Sequence, residues 1–333
     1  MILEYSGVLP VLRWNRTGIT IAGVTGQSGN ASNEFRCPYG LAIDWSNALY
    51  IADRYNHRIQ KYTRGASYGE TVAGQESGVN GTGSSFFRGV TGVDVDSDGN
   101  IYAADTENHR IQMWSPGSST GVTVAGVTGK IYNFHSIYVC IYVFIGSMGS
   151  SLNQLVYPYG VACLSMLKTF YVSDTYNYRI MYFVVGNGNG TVIAGGNGKG
   201  INSSQLATPL DLQFDTPSNS ILIANCHGNN VIRWSLDASN WTLIADNSTG
   251  IGDCPRDVMA DPMGNIYIAD TENRRIQFYP VGGTNGTTIA GTKSVAGTNA
   301  SLLISPISVV LDSQLNLIVS DYSNQRVQKF MRY

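Results

Sequence analysis

An all-β, six-bladed propeller is the fold class this 333-residue sequence predicts, and three observations predict it. A phrase recurs six times along the chain. A second phrase, counted separately, also occurs six times. Only 13% of the residues are charged, with Gly, Ser, Thr, Asn and Tyr in their place, as suits a turn-rich β protein.

The first phrase reads Leu49-Tyr50-Ile51-Ala52-Asp53 followed by Asn56-His57-Arg58-Ile59-Gln60. It returns at Ile101–Asp105 with Asn108–Gln112, and at Phe170–Asp174 with Asn177–Ile180. Further copies stand at Ile266–Asp270 with Asn273–Ile276 and at Leu317–Asp321 with Asn324–Val327. A weaker copy, Ile221–Asn225 with Val231–Trp234, lies between them.

Around each copy stand four short runs of strand length with turn residues at both ends. In the first unit they are Gly40–Asp44, Leu49–Asp53, Arg58–Tyr62 and Thr71–Gly74. None holds a helical spacing long enough to compete. The first two runs are joined by turns such as Asp98-Gly99-Asn100 and Met263-Gly264-Asn265, where glycine supplies positive φ. Four antiparallel strands per unit describe a blade, and a radial array buries the faces that a lone blade would expose.

The fourth-strand phrase appears at Thr20–Gly23, Thr71–Gly74, Thr123–Gly126, Val192–Gly195, Thr242–Ala245 and Thr288–Gly291. The first copy precedes any complete unit, and the last unit lacks one. Blades are therefore expected near 37–74, 89–126, 157–195, 208–245, 254–291 and 306–330 plus 19–23, so that strands from both ends close the ring.

Tyr-x-Ala-Asp, Asn-x-Arg-Ile/Val and Thr-Val-Ala-Gly, recurring over nearly the whole chain, resemble the NHL repeat family. The resemblance implies a six-bladed propeller, which the count of six supports separately. Some NHL propellers bind RNA, and one is an amidating lyase with a histidine-bound metal. That lyase's ligand set cannot be matched onto the four histidines, His57, His109, His135 and His227.

The period exposes a defect. Asp53 to Asp105 spans 52 residues, but Asp105 to Asp174 spans 69. The excess falls at 130–145, rich in Ile, Tyr, Phe and Val. Three readings compete: an extra strand or short helix on the propeller side, a membrane-touching finger, or a retained intron. The third is preferred, because Gly129-Lys130 suits a GGTAAA donor and Ile145-Gly146 an ATAG acceptor. Val11-Leu12-Arg13-Trp14 looks like a third strand, yet Val327–Phe330 already fills that place. A fragment of a longer gene is one reading of this surplus.

The repeated Asp, Asn and Arg residues are read as scaffold, since a unique site does not need five or six copies. Asp ends the second strand and accepts turn amides, Asn tolerates the left-handed turn, and Arg bridges back with its fork of donors. The positions that vary inside the phrase are the candidate binding residues: His57, His109, Tyr178, Asn229, Arg274 and Gln325. To these are added Arg54, Tyr55, Glu107, Tyr176 and Glu272 from the same loops between second and third strands. They are expected to form an exposed ring on one face, held by a rigid scaffold.

In blade four Asn225, Gly228 and Asn230 replace Asp, Asn and Arg. A Cys226–Cys254 disulfide is expected to replace the lost staple; the rival reading is two free thiols.

The expected function is a non-catalytic propeller that binds a protein or glycan through this loop face. The alternatives are a metal-dependent lyase or hydrolase at the channel mouth and an RNA-binding propeller. No catalytic set, metal site or cofactor is read from the sequence. Net charge is −2, against the basic face of nucleic-acid binders. No run reaches the ~18 apolar residues of a membrane span, and a monomer is expected. Met1–Trp14 does not read as a signal peptide. Nine Asn-x-Ser/Thr sequons, at Asn15, Asn30, Asn80, Asn189, Asn202, Asn240, Asn247, Asn285 and Asn299, exceed the four or five that chance gives from 27 Asn. An extracellular or lumenal glycoprotein is expected from that excess.

Overall fold

A computed structural model describes residues 12–126, 148–164 and 168–333, and the backbone of 130–133 and 142–145. Six four-stranded antiparallel sheets stand around one axis. Blade 1 holds Pro38–Ile43, Leu49–Asp53, Arg58–Tyr62 and Glu70–Gly74, from the axis outward. Blade 2 holds Val90–Val95, Ile101–Asp105, Arg110–Trp114 and Val122–Ala125. Blade 3 holds Pro158–Leu164, Thr169–Asp174, Arg179–Val184 and Thr191–Gly195. Blade 4 holds Pro209–Asp215, Ser220–Asn225, Asn230–Ser235 and Trp241–Asp246. Blade 5 holds Asp257–Ala260, Ile266–Asp270, Arg275–Tyr279 and Thr287–Gly291. Blade 6 joins Pro306–Leu311, Leu317–Asp321 and Arg326–Phe330 to Ile19–Gly23, which pairs antiparallel with Arg326–Phe330. The ring closes with strands from both ends of the chain, as the count of phrases predicts.

Apolar clusters lie between the blades and hold the ring together. Ala42, Tyr50 and Ile59 of blade 1 meet Val90, Ile101 and Trp114 of blade 2, and corresponding clusters fill the other five junctions. Ahead of each blade a buried residue (Phe35, Phe87, Leu155, Leu206, Ile251 or Leu303) plugs the gap under the preceding fourth strand. In blade 1 the residue ending that strand must be glycine: at Gly74, φ is +83° and a Cβ would sit 2.5 Å from the His57 carbonyl.

The scaffold reading of the repeated phrase is correct in detail. Asp53 accepts from the Arg36 amide (2.8 Å), Asn56 Nδ2 (2.8 Å) and Arg58 Nε (2.9 Å), with Asp53 and Arg58 wholly buried. Asp105, Asp174, Asp270 and Asp321 make the same ion pair with Arg110, Arg179, Arg275 and Arg326 at 2.7–3.1 Å. Arg58 also donates to the carbonyls of Ala31 and Glu34, so the staple ties each turn to the chain leading into its own blade. In blade 4 the charges are gone: Asn225 Nδ2 donates to Asn230 Oδ1 (2.9 Å) and Asn225 Oδ1 accepts from the Ala207 amide (2.7 Å). Beside this neutral pair, Cys226 and Cys254 form the expected disulfide.

Two expectations need correcting or narrowing. Leu12–Trp14 does not compete for the third-strand place. Trp14 bridges to Arg332, beyond the third strand, and its buried ring packs on Tyr267 and Phe278; Val11 lies outside the described residues. In the inserted segment, Lys130–Asn133 pairs antiparallel with Tyr142–Ile145 in a sheet of their own, joined to no blade. Residues 134–141 lie outside the described residues. Deleting 130–145 is expected to leave the melting temperature within about 2 °C of the intact chain, since no blade strand pairs with its two described strands; a scanning calorimetry loss of several degrees would mean the segment supports blades 2 and 3.

Candidate functional site: the upper channel mouth

The second strands end in 3₁₀ turns on one face, the upper face here, beside the chain leading into each first strand. Arg54–Asn56, Thr106–Asn108, Thr175–Asn177, Cys226–Gly228 and Tyr322–Asn324 form these turns, with residues 271–274 as the blade 5 equivalent. Each turn closes on a residue with φ of 50–59°: His57, His109, Tyr178, Asn229, Arg274 and Gln325. These are the six varying positions of the repeated phrase.

Their side chains do not stand out in solvent as an exposed ring, which corrects the expectation. The left-handed backbone turns most of them sideways onto the next blade. His57 Nδ1 accepts from the Gly89 amide (3.0 Å), and His109 Nδ1 from the Tyr157 amide (3.1 Å). Asn229 Oδ1 accepts from the Cys254 amide (3.2 Å), and Gln325 Oε1 from the Cys37 amide (2.6 Å). Arg274 donates to the Ile304 carbonyl (3.1 Å). Tyr178 is half-buried and carries no such bond among the described residues.

An Nδ1 that accepts an amide proton belongs to a neutral ring. Burial, then the positive charge of Arg88, pushes the His109 pKa down to about 4. The same causes, with Arg36 added, bring His57 to about 4. A histidine depressed in the folded state keeps its full contribution above its unfolded value near 6.5 and loses it as pH falls toward 4. Asn already does this work in blade 4, and it tolerates the left-handed turn. His109→Asn is therefore expected to match the parent protein near pH 7.5 and to exceed its stability by roughly 1–2 kcal/mol at pH 5. Urea melts at the two pH values check this, and equal differences at both would contradict the neutral-ring geometry.

The remaining candidates frame the channel mouth. Glu107 pairs with Arg88 at 3.3 Å. Glu272 is exposed. Tyr176 (52% exposed) stands on Tyr157 (5.3 Å between ring centres), which stands edge-on to His109 (4.5 Å). Tyr55 is 38% exposed. The Arg54 guanidinium lies 5.0 Å from the Tyr55 ring centre, 5.3 Å from Tyr39 and 5.8 Å from Tyr159. Tyr39 meets Tyr159 of blade 3 at 5.9 Å and Tyr322 of blade 6 at 6.0 Å. Arg256 of blade 5 lies beside the Tyr39 hydroxyl and, with burial, acts on its ionisation. Burial dominates, raises the Tyr39 pKa and keeps the phenol neutral.

Sequence reasoning missed Tyr39, Tyr159 and Arg256. Each follows a proline that opens a first strand or shortly precedes it, in Pro38-Tyr39, Pro158-Tyr159 and Pro255-Arg256. That place varies between blades as much as the ones singled out, and it is the place nearest the axis.

Below the mouth the first strands crowd the axis. A Cβ on Gly40 would lie 2.4 Å from the Thr91 carbonyl, and one on Gly92 2.4 Å from the Tyr159 carbonyl. A channel cavity of about 320 Å³ is lined by Asp94, Asp211, Asp257, Gln213 and Ser308 among others. Most of these side chains satisfy inner-strand amides of the following blade: Asp94 accepts from Cys163 (2.7 Å), Asp257 from Val309 (2.7 Å), Ser308 from Leu41 (3.2 Å), and Gln213 from Ala260. Burial raises the Asp94, Asp211 and Asp257 carboxyls, with Asp257 at about 6 and Asp211 raised further by the Asp257 charge. Among the described residues, no group of three or more His, Cys, Asp or Glu is placed to hold a metal ion. A separate cleft of about 440 Å³ lies at the lower end of the seam between blades 6 and 1, where Lys329 is already paired with Asp312 at 2.6 Å.

The NHL repeat pattern matches at residues 35–62, 87–114, 253–279 and 303–330, which fall in blades 1, 2, 5 and 6. NHL repeat-containing protein 2 of Bos taurus is 35% identical over 86 residues, 23% of this chain and 12% of that protein. Its Gallus gallus counterpart is 32% identical over 96 residues, 26% of this chain and 13% of that protein. The chain is an NHL-repeat β-propeller. Its matches span about an eighth of the length of these curated relatives.

Solved structures share the NHL propeller's fold at low identity. A protein of unknown function from Bacteroides thetaiotaomicron superimposes with a TM-score of 0.68 at 16% identity, over 95% of this chain and 76% of that one. An auxiliary nutrient binding protein from Bacteroides ovatus gives 0.64 at 12%, over 97% and 77%. A streptogramin B lyase gives 0.57 at 11%, over 93% and 96%. Binding proteins and a lyase share this architecture, so function must be argued from the mouth itself.

Proposed function

We propose that this NHL propeller is a non-catalytic binding module that takes a protein or glycan at its upper mouth. The observation that carries the reading is the convergence of Tyr39, Arg54, Tyr159, Arg256 and Tyr322 from four blades, with Tyr55 and Tyr176 exposed beside them. Tyrosines bring a flat apolar face and a polar tip at little entropic cost, which suits recognition surfaces.

The double variant Tyr55→Ala/Tyr176→Ala tests it. Both side chains are partly exposed, so the fold is expected to survive, with a melting temperature within about 2 °C of the parent. On glycan and peptide arrays the parent protein is expected to retain a defined set of ligands that the double variant loses by tenfold or more. Equal retention by the two proteins, or no retention by the parent, overturns the reading.

An extracellular, glycosylated setting belongs to the same proposal. All nine sequon asparagines are exposed, whereas half of the 26 described asparagines are not. They sit on the connections between blades and on the turns that lead into fourth strands, and none lies within a turn between second and third strands. The disulfide is compatible with an oxidising compartment. Secretion from eukaryotic cells followed by glycosidase treatment is expected to lower the mass by several glycan units; an unchanged mass counts against this setting.

A further inference from the structure

We propose that the mouth recognises a carboxylate, held between the guanidinium groups of Arg54 and Arg256 with the rest of the ligand lying on the surrounding tyrosines. This rests on the binding reading above and names its ligand chemistry.

The argument begins with the arginines that are paired. Arg58, Arg110, Arg179, Arg275 and Arg326 are buried, and each meets its aspartate at 2.7–3.1 Å. Arg54 and Arg256 are also largely covered, yet neither makes an ion pair among the described residues. The groups that act on Arg54 are the side chains of Tyr159, Tyr39, Tyr55 and Tyr322, and none of them is a carboxylate. Glu272 is an acid that acts on Arg256, and the two form no ion pair among the described residues.

Two polar atoms at this one place, Arg54 Nε and Arg256 Nε, are shielded from water without a hydrogen-bond partner, and the buried Tyr39 hydroxyl lies beside Arg256. Tyr39 is only 6% exposed, and its ring stands beside both arginines. Buried donors are almost always satisfied, and an unsatisfied pair at a channel mouth marks the place of a missing acceptor. Two positive donors and a phenol call for an anion, and the flat guanidinium fork matches a carboxylate.

Surrounding charge sets the size of that anion. Glu272 stands exposed on the rim, Glu107 is paired there with Arg88, and the chain carries net −2. A single carboxylate brings one negative charge to a mouth whose rim already carries acids, whereas a polyphosphate chain would bring several. Tyr55 and Tyr176, exposed beside the site, offer faces to a sugar ring or a peptide. The carboxylate could come from an acidic sugar or from the free end of a peptide, and the test separates the two.

Calorimetric titration would use glucuronate against glucose, acetyl-Gly-Gly against acetyl-Gly-Gly amide, and an oligouridylate. One acid is expected to bind at least tenfold tighter than its neutral counterpart, and which acid does so identifies the source. Arg54→Gln and Arg256→Gln are each expected to weaken that binding tenfold or more. Arg54→Lys, which keeps the charge but not the fork, should fall between, and serves if the Gln variant fails to fold. Equal binding of acid and neutral probes, no binding of either acid, or unchanged binding in both arginine variants overturns the proposal. Tighter binding of oligouridylate than of both acids overturns it in favour of nucleic acid. Should the arrays retain ligands that depend on Tyr55 and Tyr176 but not on the arginines, the carboxylate is wrong while the mouth remains the binding site.

Discussion

Asp53→Ala is expected to cost about 3–5 kcal/mol of stability, the largest loss for any single change considered. The substitution removes three acceptor contacts, those to the Arg36 amide, Asn56 Nδ2 and Arg58 Nε. More serious is what remains. Arg58 is wholly buried, and without Asp53 its charge has only carbonyl partners. Burial already raises the Asp53 carboxyl despite the arginine, so the pair survives on mutual compensation. Blade 4 shows the alternative at the same place, the neutral Asn225–Asn230 pair. Asp53→Asn/Arg58→Asn, which copies it, is expected to lose at least ~1 kcal/mol less than the sum of its two single changes. Chemical denaturation of the four proteins measures this coupling. Simple additivity would show that the staple does not act as a unit.

The distinction between the staple and its neighbour explains what was legible in the sequence. Periodicity revealed six blades, the closing strand Ile19–Gly23 and the scaffold role of Asp53, Asn56 and Arg58, because a repeated residue must do a repeated job. It could not show direction. His57, His109, Asn229 and Gln325 vary from blade to blade, as recognition residues do. Yet their positive φ aims them at the next blade, where a histidine, an amide or a guanidinium can make a bond across the junction. Variation there reflects several solutions to one packing problem. Tyr39, Tyr159 and Arg256 were missed for the opposite reason. They are far apart in sequence and meet only because the first strands converge on the axis, a proximity that spacing along the chain does not encode. Arg54, Tyr55 and Tyr176 were found because they lie beside the repeated aspartates, on turns that do reach the mouth.

Removing the Cys226–Cys254 bond should loosen the turn of the one blade that has no charged staple. The bond links the turn after the second strand of blade 4 to the lead-in of blade 5, 28 residues apart. Closing a loop of that size restricts the unfolded chain by about 3 kcal/mol in the chain-entropy treatment. In the folded state, the same junction is held by Asn229 on the Cys254 amide and by apolar contact of Ala224, Val231 and Ile251. These contacts do not depend on the disulfide, so the propeller should still close without it. Cys226→Ser/Cys254→Ser is therefore expected to fold with an unchanged circular dichroism spectrum and to melt roughly 4 °C lower. Hydrogen exchange should rise most in Cys226–Gly228 and the residues before Asp257, because the loss is local to that junction. The effect also reaches the mouth. Arg256 follows the bridged Cys254 by two residues, so a loosened lead-in frees the guanidinium that faces Tyr39. Ligand affinity should then fall in the double-serine variant by a smaller factor than in Arg256→Gln. Unchanged exchange at 226–228 together with unchanged affinity would show that the apolar junction alone positions Arg256.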